Sequence, residues 1–190
     1  ELPHVERPVV VEEAEHESWR HLHASAASSL EEQERKLVEV LLPLAKRSLA
    51  LLTETLKPGD TVALCTYAGS TRVVLEPTGI EQKAKILAGI EGLSSGGGTA
   101  MSSGVQMAYD LASKTLVKGH LNRVVVLSDG DANIGNSSHE QILRTVSQYK
   151  DKGITLSTVG FGSGNYKDVM MEQLADKGDG NYTYIDGEDE

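Results

Sequence analysis

The sequence has little of what several protein classes require. Aromatic residues make up 4% of its 190 residues, and with one cysteine, Cys65, no internal disulfide can form. Apolar runs such as Val124 to Leu127 are far shorter than the roughly 20 residues that cross a bilayer, and no basic-then-apolar leader opens the chain. These absences predict a soluble segment without a membrane span, whose core is built mainly from Leu, Val, Ile and Ala.

Positive charge is also scarce. The chain has 18 Lys and Arg residues against 28 Asp and Glu residues, a formal net charge of -10 at pH 7. Such a charge repels a phosphate backbone at long range, so the composition argues against nucleic acid as a partner. Hydrophobic residues make up 39% of the chain, which is enough apolar material for the core of one domain of this length.

From Lys57 onward, strand patterns alternate with helix patterns across short joints, which is typical of α/β folds. The predicted strands span 61–67, 72–75, 123–128, 154–159 and 181–185, and the predicted helices span 81–93, 101–115, 138–152 and 166–177. The strand over 61–67 is expected to be buried on both faces, and the strand over 123–128 has the clearest pattern of burial. The strand over 72–75 is predicted to pair antiparallel at a sheet edge.

The first 56 residues allow more than one interpretation. Pro8 to Glu12 and Ser18 to His23 both qualify as strands. Residues 30–56 have a long helical pattern that Pro43 interrupts. Because proline suits a first helical turn and costs about 3 kcal/mol in mid-helix, two helices or one kinked helix are predicted to meet near Leu42.

Two loops carry many oxygen atoms: one runs into the predicted helix over 101–115, and the other follows the predicted strand over 123–128. Residues 94–104 combine glycines with hydroxyl side chains that include Thr99, and residues 128–135 place Asp129 and Asp131 directly after a strand. Loops at the carboxyl ends of parallel strands converge, and carboxylate and hydroxyl oxygens suit a hard cation such as Mg²⁺. On composition alone, a turn and helix cap at these aspartates is the favoured interpretation, and the metal site stays open beside it.

Four stretches together resemble the bacterial group of von Willebrand factor type A (vWA) domains. They are 61–69, Gly96-Gly-Gly-Thr-Ala100, 123–135 and 160–166. The resemblance covers roughly 42–185 of a single domain, and leaves 1–41 as an atypical N-terminal segment and 186–190 as an acidic tail. It implies an α/β fold: a doubly wound, Rossmann-like, mostly parallel six-stranded sheet with helices on both faces and one antiparallel edge strand.

The resemblance also implies a function. Family members are typically binding modules rather than enzymes, and their metal-ion-dependent adhesion site holds a Mg²⁺ that a carboxylate of the protein partner completes. Thr99 matches the metal-site threonine of the family, and Asp129 matches its third-loop aspartate. Mn²⁺ and Ca²⁺ are alternative ions, and the family resemblance implies an extracytoplasmic or cell-surface location.

The chain departs from the family at the first strand, which should end in Asp-x-Ser-x-Ser. The nearest candidate, residues 23–27, keeps Ser25 but has His in place of the aspartate and Ala in place of the second serine. A site made of Thr99, Asp129, Ser25 and water lacks one negative charge and one oxygen, so we expect Mg²⁺ to bind weakly or not at all. A cation-dependent adhesion module and a metal-free scaffold are therefore the two main alternatives.

Residues 30–40 precede the family-like region. They resemble the terminal helix that family members carry after their last strand and that this sequence lacks beyond Ile185. We hypothesise that this segment takes the place of that helix, through natural divergence or engineering. Packing of Leu37 and Val38 away from the last strand would contradict the hypothesis.

The histidines allow a different metal site. His21 and His23 lie on one face of a possible strand, with His16 or Glu17 nearby, and paired imidazoles at that spacing can share a Zn²⁺. The competing interpretation is that they are solvated histidines on an exposed strand.

A hydrolase is the remaining alternative. Ser102, Asp129 and His139 occur in the chain order of an α/β-hydrolase triad. The context argues against it, because Ser102 is expected inside a helix start rather than at a strand-to-helix turn.

Overall fold

The structure is a computed structural model that describes residues 40–67, 70–94, 101–128, 136–161 and 168–185. These residues all belong to one unit, Leu37–Glu190. The two possible N-terminal strands, the hypothesis for residues 30–40 and the acidic tail lie outside the described residues.

Helices and strands follow one another in the predicted order. The helices are α1 (Leu42–Thr55), α2 (Lys83–Glu91), α3 (Met101–Lys114), α4 (Asn136–Lys150) and α5 (Asp168–Lys177). The strands are β1 (Thr61–Thr66), β2 (Arg72–Gly79), β3 (Asn122–Ser128), β4 (Ile154–Phe161) and β5 (Tyr182–Ile185), and a 3-10 turn, Ile80–Gln82, precedes α2. Pro43 lies in the first turn of α1, and residues 40 and 41 directly before α1 are already helical, of the π type. No helix in the described part of the chain has the length and apolar character of a membrane span.

The described strands form two sheets. β3, β4 and β5 are parallel, with Val126 opposite Thr158 and Thr158 opposite Tyr182. β1 pairs antiparallel with β2, as predicted, although β2 runs four residues beyond its predicted end. The α/β class is confirmed, whereas the six-stranded sheet is not: the described strands give three parallel and two antiparallel members. The sixth strand was expected before Leu42, in a segment outside the described residues.

β1 and β3 are less buried than predicted. β1 begins with an exposed residue and continues with half-buried ones, so the prediction of burial on both faces was wrong. In β3, Val124, Val126 and Ser128 are buried, whereas Val125 is 37% exposed. The reason is that Val124 and Val126 lie on the face of β3 that belongs to the larger core, next to α3, whereas Val125 lies on the opposite face. β4, which lies between two strands, is buried along most of its length.

Two clusters of buried side chains form the interior. The larger one consists of Met101, Val105, Tyr109, Val124, Val126, Ile142, Val146, Tyr149, Ile154, Leu156, Met171 and Leu174. The smaller one consists of Leu75, Ile86 and Ile90, with partly buried side chains from α1, α2, β1 and the 3-10 turn around it. The larger core is also crossed by a buried hydrogen bond, in which the Thr158 hydroxyl donates to the Met171 carbonyl oxygen at 2.8 Å.

The turn from α5 to β5 packs on the backbone of β4. The Leu156 N–H donates to the Gly178 carbonyl oxygen at 2.9 Å, and the Gly180 N–H donates to Ala175 at 3.0 Å. A Cβ at Gly180 would collide with the Leu156 carbonyl oxygen. Glycine is required at this position because backbone passes directly over backbone.

Candidate functional site

The predicted metal ligands lie outside the described residues. This holds for Thr99, Asp129 and Ser25, and also for Asp131. What the structure describes is the framework beside these loops: the first turn of α3, which follows the loop of Thr99, the end of β3, which precedes the loop of Asp129, and the end of β1, which packs against both. The geometry of that framework determines where the loops begin.

The ends of β1 and β3 are joined by one side chain. The Tyr67 hydroxyl, directly after β1, donates to the Leu127 carbonyl oxygen at 2.7 Å. Leu127 is the penultimate residue of β3, and the next residue, Ser128, is 7% exposed. Ser128 lies opposite Gly160 in the parallel register, so the chain leaves β3 and β4 at the same edge of the sheet.

The first turn of α3 packs against the same edge. A Cβ at Gly104 would lie 2.7 Å from the Tyr67 Cβ, so glycine allows the Tyr67 side chain to pass beneath the helix. The Cys65 thiol donates to the Gly104 carbonyl oxygen at a sulfur–oxygen distance of 3.8 Å. Met101, the first residue of α3, is 1% exposed and belongs to the larger core. The start of α3 is therefore fixed against the end of β1.

The framework itself offers no metal site. Within the described ranges, no three His, Cys, Asp or Glu side chains are grouped so that they could hold an ion. Burial raises the pKa of the Cys65 thiol, which keeps it protonated and unsuited to metal ligation.

Two members of the hydrolase alternative are described, and they do not form a catalytic pair. The His139 Nε2 lies 3.1 Å from the Gln173 Oε1 on α5. Ser102 lies in the first turn of α3, as expected from the sequence, and makes no hydrogen bond to His139 within the described residues. A nucleophile needs its base within hydrogen-bonding reach, so the described geometry gives this alternative no support. The residues of the zinc alternative, His16, Glu17, His21 and His23, lie outside the described ranges.

One polar cluster on the α3–α4 surface was missed from the sequence. The Tyr149 hydroxyl donates to the Asp110 Oδ1 at 2.8 Å, and the Gln106 side-chain amide lies 3.0 Å from both of them. The hydrogen bond to Asp110 and burial together raise the pKa of Tyr149. Its ring stacks on Tyr109 at a centroid distance of 4.4 Å. Gln106 and Asp110 show the i, i+4 spacing of one helix face, which a sequence reader can detect. Tyr149 lies 39 residues after Asp110, so its place in the cluster is not visible from local spacing.

Comparison with known proteins identifies the family. A family model described as the von Willebrand factor type A domain matches residues 38–190. The chain belongs to the von Willebrand factor type A family. Two curated relatives share the vWA region: "Uncharacterized protein YfbK" of Escherichia coli (strain K12), 41% identical over 145 residues, and "Uncharacterized protein sll0103" of a Synechocystis species, 30% identical over 146 residues. The matched part is 76% of this chain in both cases, but 25% and 34% of those longer proteins.

Solved structures of low identity share the vWA fold. A conserved hypothetical protein, BatB, from Bacteroides thetaiotaomicron matches with a TM-score of 0.62 at 23% identity, over 78% of this chain and 81% of that one. A mussel byssus protein, PTMP1, solved with a zinc-occupied metal-ion-dependent adhesion site, matches with a TM-score of 0.59 at 16% identity, over 84% of this chain and 41% of that one. Manganese-loaded TRAP protein of Plasmodium vivax matches with a TM-score of 0.58 at 14% identity, over 80% of this chain and 62% of that one.

Proposed function

We propose that this vWA domain is a non-enzymatic module that binds a protein partner through the loops that follow β3 and precede α3. The loop-borne Thr99 and Asp129, with Ser25, would hold a Mg²⁺ that a partner carboxylate completes. Family membership carries the proposal, because vWA domains commonly mediate protein interaction and adhesion through such sites. Zinc and manganese in the two solved relatives support a cation as the mediator, with Mn²⁺ and Ca²⁺ as alternatives here.

The framework supports the proximity of Thr99 and Asp129. Met101, Val124 and Val126 belong to one core, so α3 and β3, which flank these loops, are parts of the same packed unit. Hydroxyl and carboxylate oxygens from these loops are ligands that a hard cation prefers.

A metal-free scaffold is the second candidate. The absence of Asp-x-Ser-x-Ser from the sequence favours it, since that motif would supply an aspartate and two serines. In this case the domain binds its partner without a cation, and chelators leave binding unchanged. Under either candidate we propose a bacterial protein acting outside the cytoplasm or at the cell surface.

Titration of the full chain with MgCl₂ and MnCl₂ tests the first candidate. We expect calorimetric heat with a Kd in the millimolar range, because three protein oxygens make a weak site. Asp129→Ala should abolish the heat. Asp151→Ala, which removes an exposed carboxylate from the turn between α4 and β4, is the matched control and should retain it. No heat and no thermal stabilisation at 10 mM of either ion would contradict the cation-dependent module and support the scaffold.

A further inference from the structure

A cleft of about 420 Å³ lies between α3 and α4, beside the loop that enters β2. Its walls carry hydroxyl and amide groups, and its base includes apolar side chains. The residues that matter here are Ser102, Ser103, Met107 and Asp110 of α3 and Ile142 and Thr145 of α4. Among the described residues that line the cleft, Asp110 is the one with an ionisable side chain.

One oxygen of the Asp110 carboxylate accepts hydrogen bonds from described residues, and the other accepts none. Both of its donors, the Tyr149 hydroxyl and the Gln106 amide, bond to Oδ1, at 2.8 Å and 3.0 Å. Oδ2 has no hydrogen-bond donor within the described residues. None of the ion pairs found in the described part of the chain includes Asp110.

The support behind Asp110 is rigid. The Tyr149 ring stacks on Tyr109 with an angle of 9° between the ring planes. The Lys152 ammonium lies 4.2 Å from the centroid of the Tyr149 ring. Because Tyr109 covers one face of that ring, the ammonium lies over the other face. Because the ring is held from both sides, its hydroxyl fixes the carboxylate before any ligand arrives, which lowers the entropy cost of binding.

Three hydroxyl groups of the cleft have no side-chain hydrogen bond to any described residue. Elsewhere, Ser48 and Ser113 donate to the carbonyl oxygen four residues earlier in their helices. Ser102, Ser103 and Thr145 make no side-chain hydrogen bond within the ranges that the structure describes. They are therefore available to accept hydrogen bonds from a ligand beside Asp110.

We propose that this cleft binds the side chain of a lysine from a protein partner. The ammonium group would donate to Asp110 Oδ2 and to the hydroxyls, while the four-carbon stem packs on Met107 and Ile142. Lysine is favoured over arginine, because the guanidinium fork pairs best with both carboxylate oxygens and Oδ1 already accepts two hydrogen bonds. The proposal rests on the proposed protein-binding function only in taking the ligand from a protein.

The test uses methyl NMR of the full chain labelled at its methionines, in EDTA and 150 mM NaCl, titrated with Nα-acetyl-lysine methylamide. The Met107 methyl lines the cleft, whereas Met101 and Met171 are 1% and 2% exposed and act as internal controls. We expect a saturable shift of Met107 alone, with a millimolar Kd. Asp110→Asn should weaken binding about fivefold, the effect of a half-exposed ion pair. Asp176→Asn, an exposed carboxylate on α5, should leave the Kd unchanged.

A second variant tests the site while leaving the Asp110 side chain unchanged. Ser103→Lys places an ammonium group at an exposed position of the cleft wall, where it should compete for Asp110 and weaken binding of the same compound. The proposal is overturned if Met107 does not shift, if the Nε-acetylated compound shifts it equally, if the arginine analogue binds more tightly, or if Asp110→Asn and Asp176→Asn behave alike. EDTA removes divalent cations, so these results are separable from the outcome of the Mg²⁺ titration.

Discussion

Two regions of the molecule differ in the size of their buried cores. One is built from α3, α4, α5 and the parallel strands β3 to β5, and the other from α1, α2 and the antiparallel strands β1 and β2. The parallel region contains twelve clustered buried side chains among the described residues, and the antiparallel region contains three. Hydrophobic stabilisation scales with apolar area removed from water, so most of the stability should reside in the parallel region. Alternation of strands and helices along the chain therefore does not distribute stability evenly.

The largest expected effects come from truncating one buried side chain in each region. Leu174→Ala should lower the free energy of unfolding by about 4 kcal/mol, because its fully buried neighbours cannot close the cavity. Ile86→Ala should cost about 2 kcal/mol, near the lower end for such changes, because half-buried neighbours can move into the space. Urea unfolding followed by far-UV circular dichroism measures both. Equal losses would show that the two regions are equally well packed.

Alkaline pH should weaken the parallel region through its stacked tyrosines. Burial raises the pKa of Tyr109, and the hydrogen bond to Asp110 raises that of Tyr149. Above pH 10, the unfolded chain releases these protons and the folded chain retains them, so stability should fall by up to about 1.4 kcal/mol per pH unit for each tyrosine. Urea unfolding between pH 8 and pH 11 measures the slope.

Tyr109→Phe should make the alkaline slope shallower. Stability at pH 8 should change little, since the Tyr109 hydroxyl is buried and has no hydrogen-bond partner within the described residues. A slope that is the same in this variant and in the unmodified chain would contradict the assignment to Tyr109.

The hydrogen bond from Tyr67 to Leu127, which joins the two regions, should contribute less to the free energy of unfolding. Tyr67→Phe removes the hydroxyl that donates to the Leu127 carbonyl oxygen, at an expected cost of about 1 kcal/mol. Native-state hydrogen exchange should show a larger loss of protection in β1 than in β4. Tyr109→Phe is the matched control. Equal losses of protection in the two strands would mean that the regions open together without dependence on this bond.

The smallest effect is expected at the surface. The Lys114 ammonium lies 2.9 Å from the Glu76 carboxylate and connects α3 to β2, but these side chains are 54% and 61% exposed. A double-mutant cycle with Lys114→Gln and Glu76→Gln should give a coupling of about 0.3 kcal/mol that vanishes in 1 M NaCl. A coupling above about 1 kcal/mol would show that this ion pair also contributes to holding the two regions together.

The sequence predicts the order of elements well, because each element is encoded locally. The apolar run before Ser128 and the glycine at 153 identify β3 and the end of the helix before β4, and Pro43 identifies the start of α1. Element ends were less accurate: β4 continues two residues beyond its predicted end, and α4 begins two residues earlier.

Burial and the polar clusters were predicted less well, because they depend on contacts between distant residues. The exposure of Val125 follows from which helices cover β3, which its own apolar run does not reveal. Likewise, Tyr67 bonds to a residue 60 positions away, and Tyr149 bonds to Asp110 39 positions away. For the candidate metal site, the sequence supplies Thr99, Asp129 and Ser25, and the structure supplies the framework that holds the loops of the first two.

The passage of Gly180 over the β4 backbone restricts which amino acids that position can accept. In a saturation library selected for folded protein, every other residue should disappear at 180, alanine included, because even one methyl group has no room there. Gly119 offers a useful contrast: it has a φ of +86° and open space around its Cα, so asparagine should survive there. The two glycines would thus tolerate different substitutions. Lack of space limits position 180, and the positive φ limits position 119.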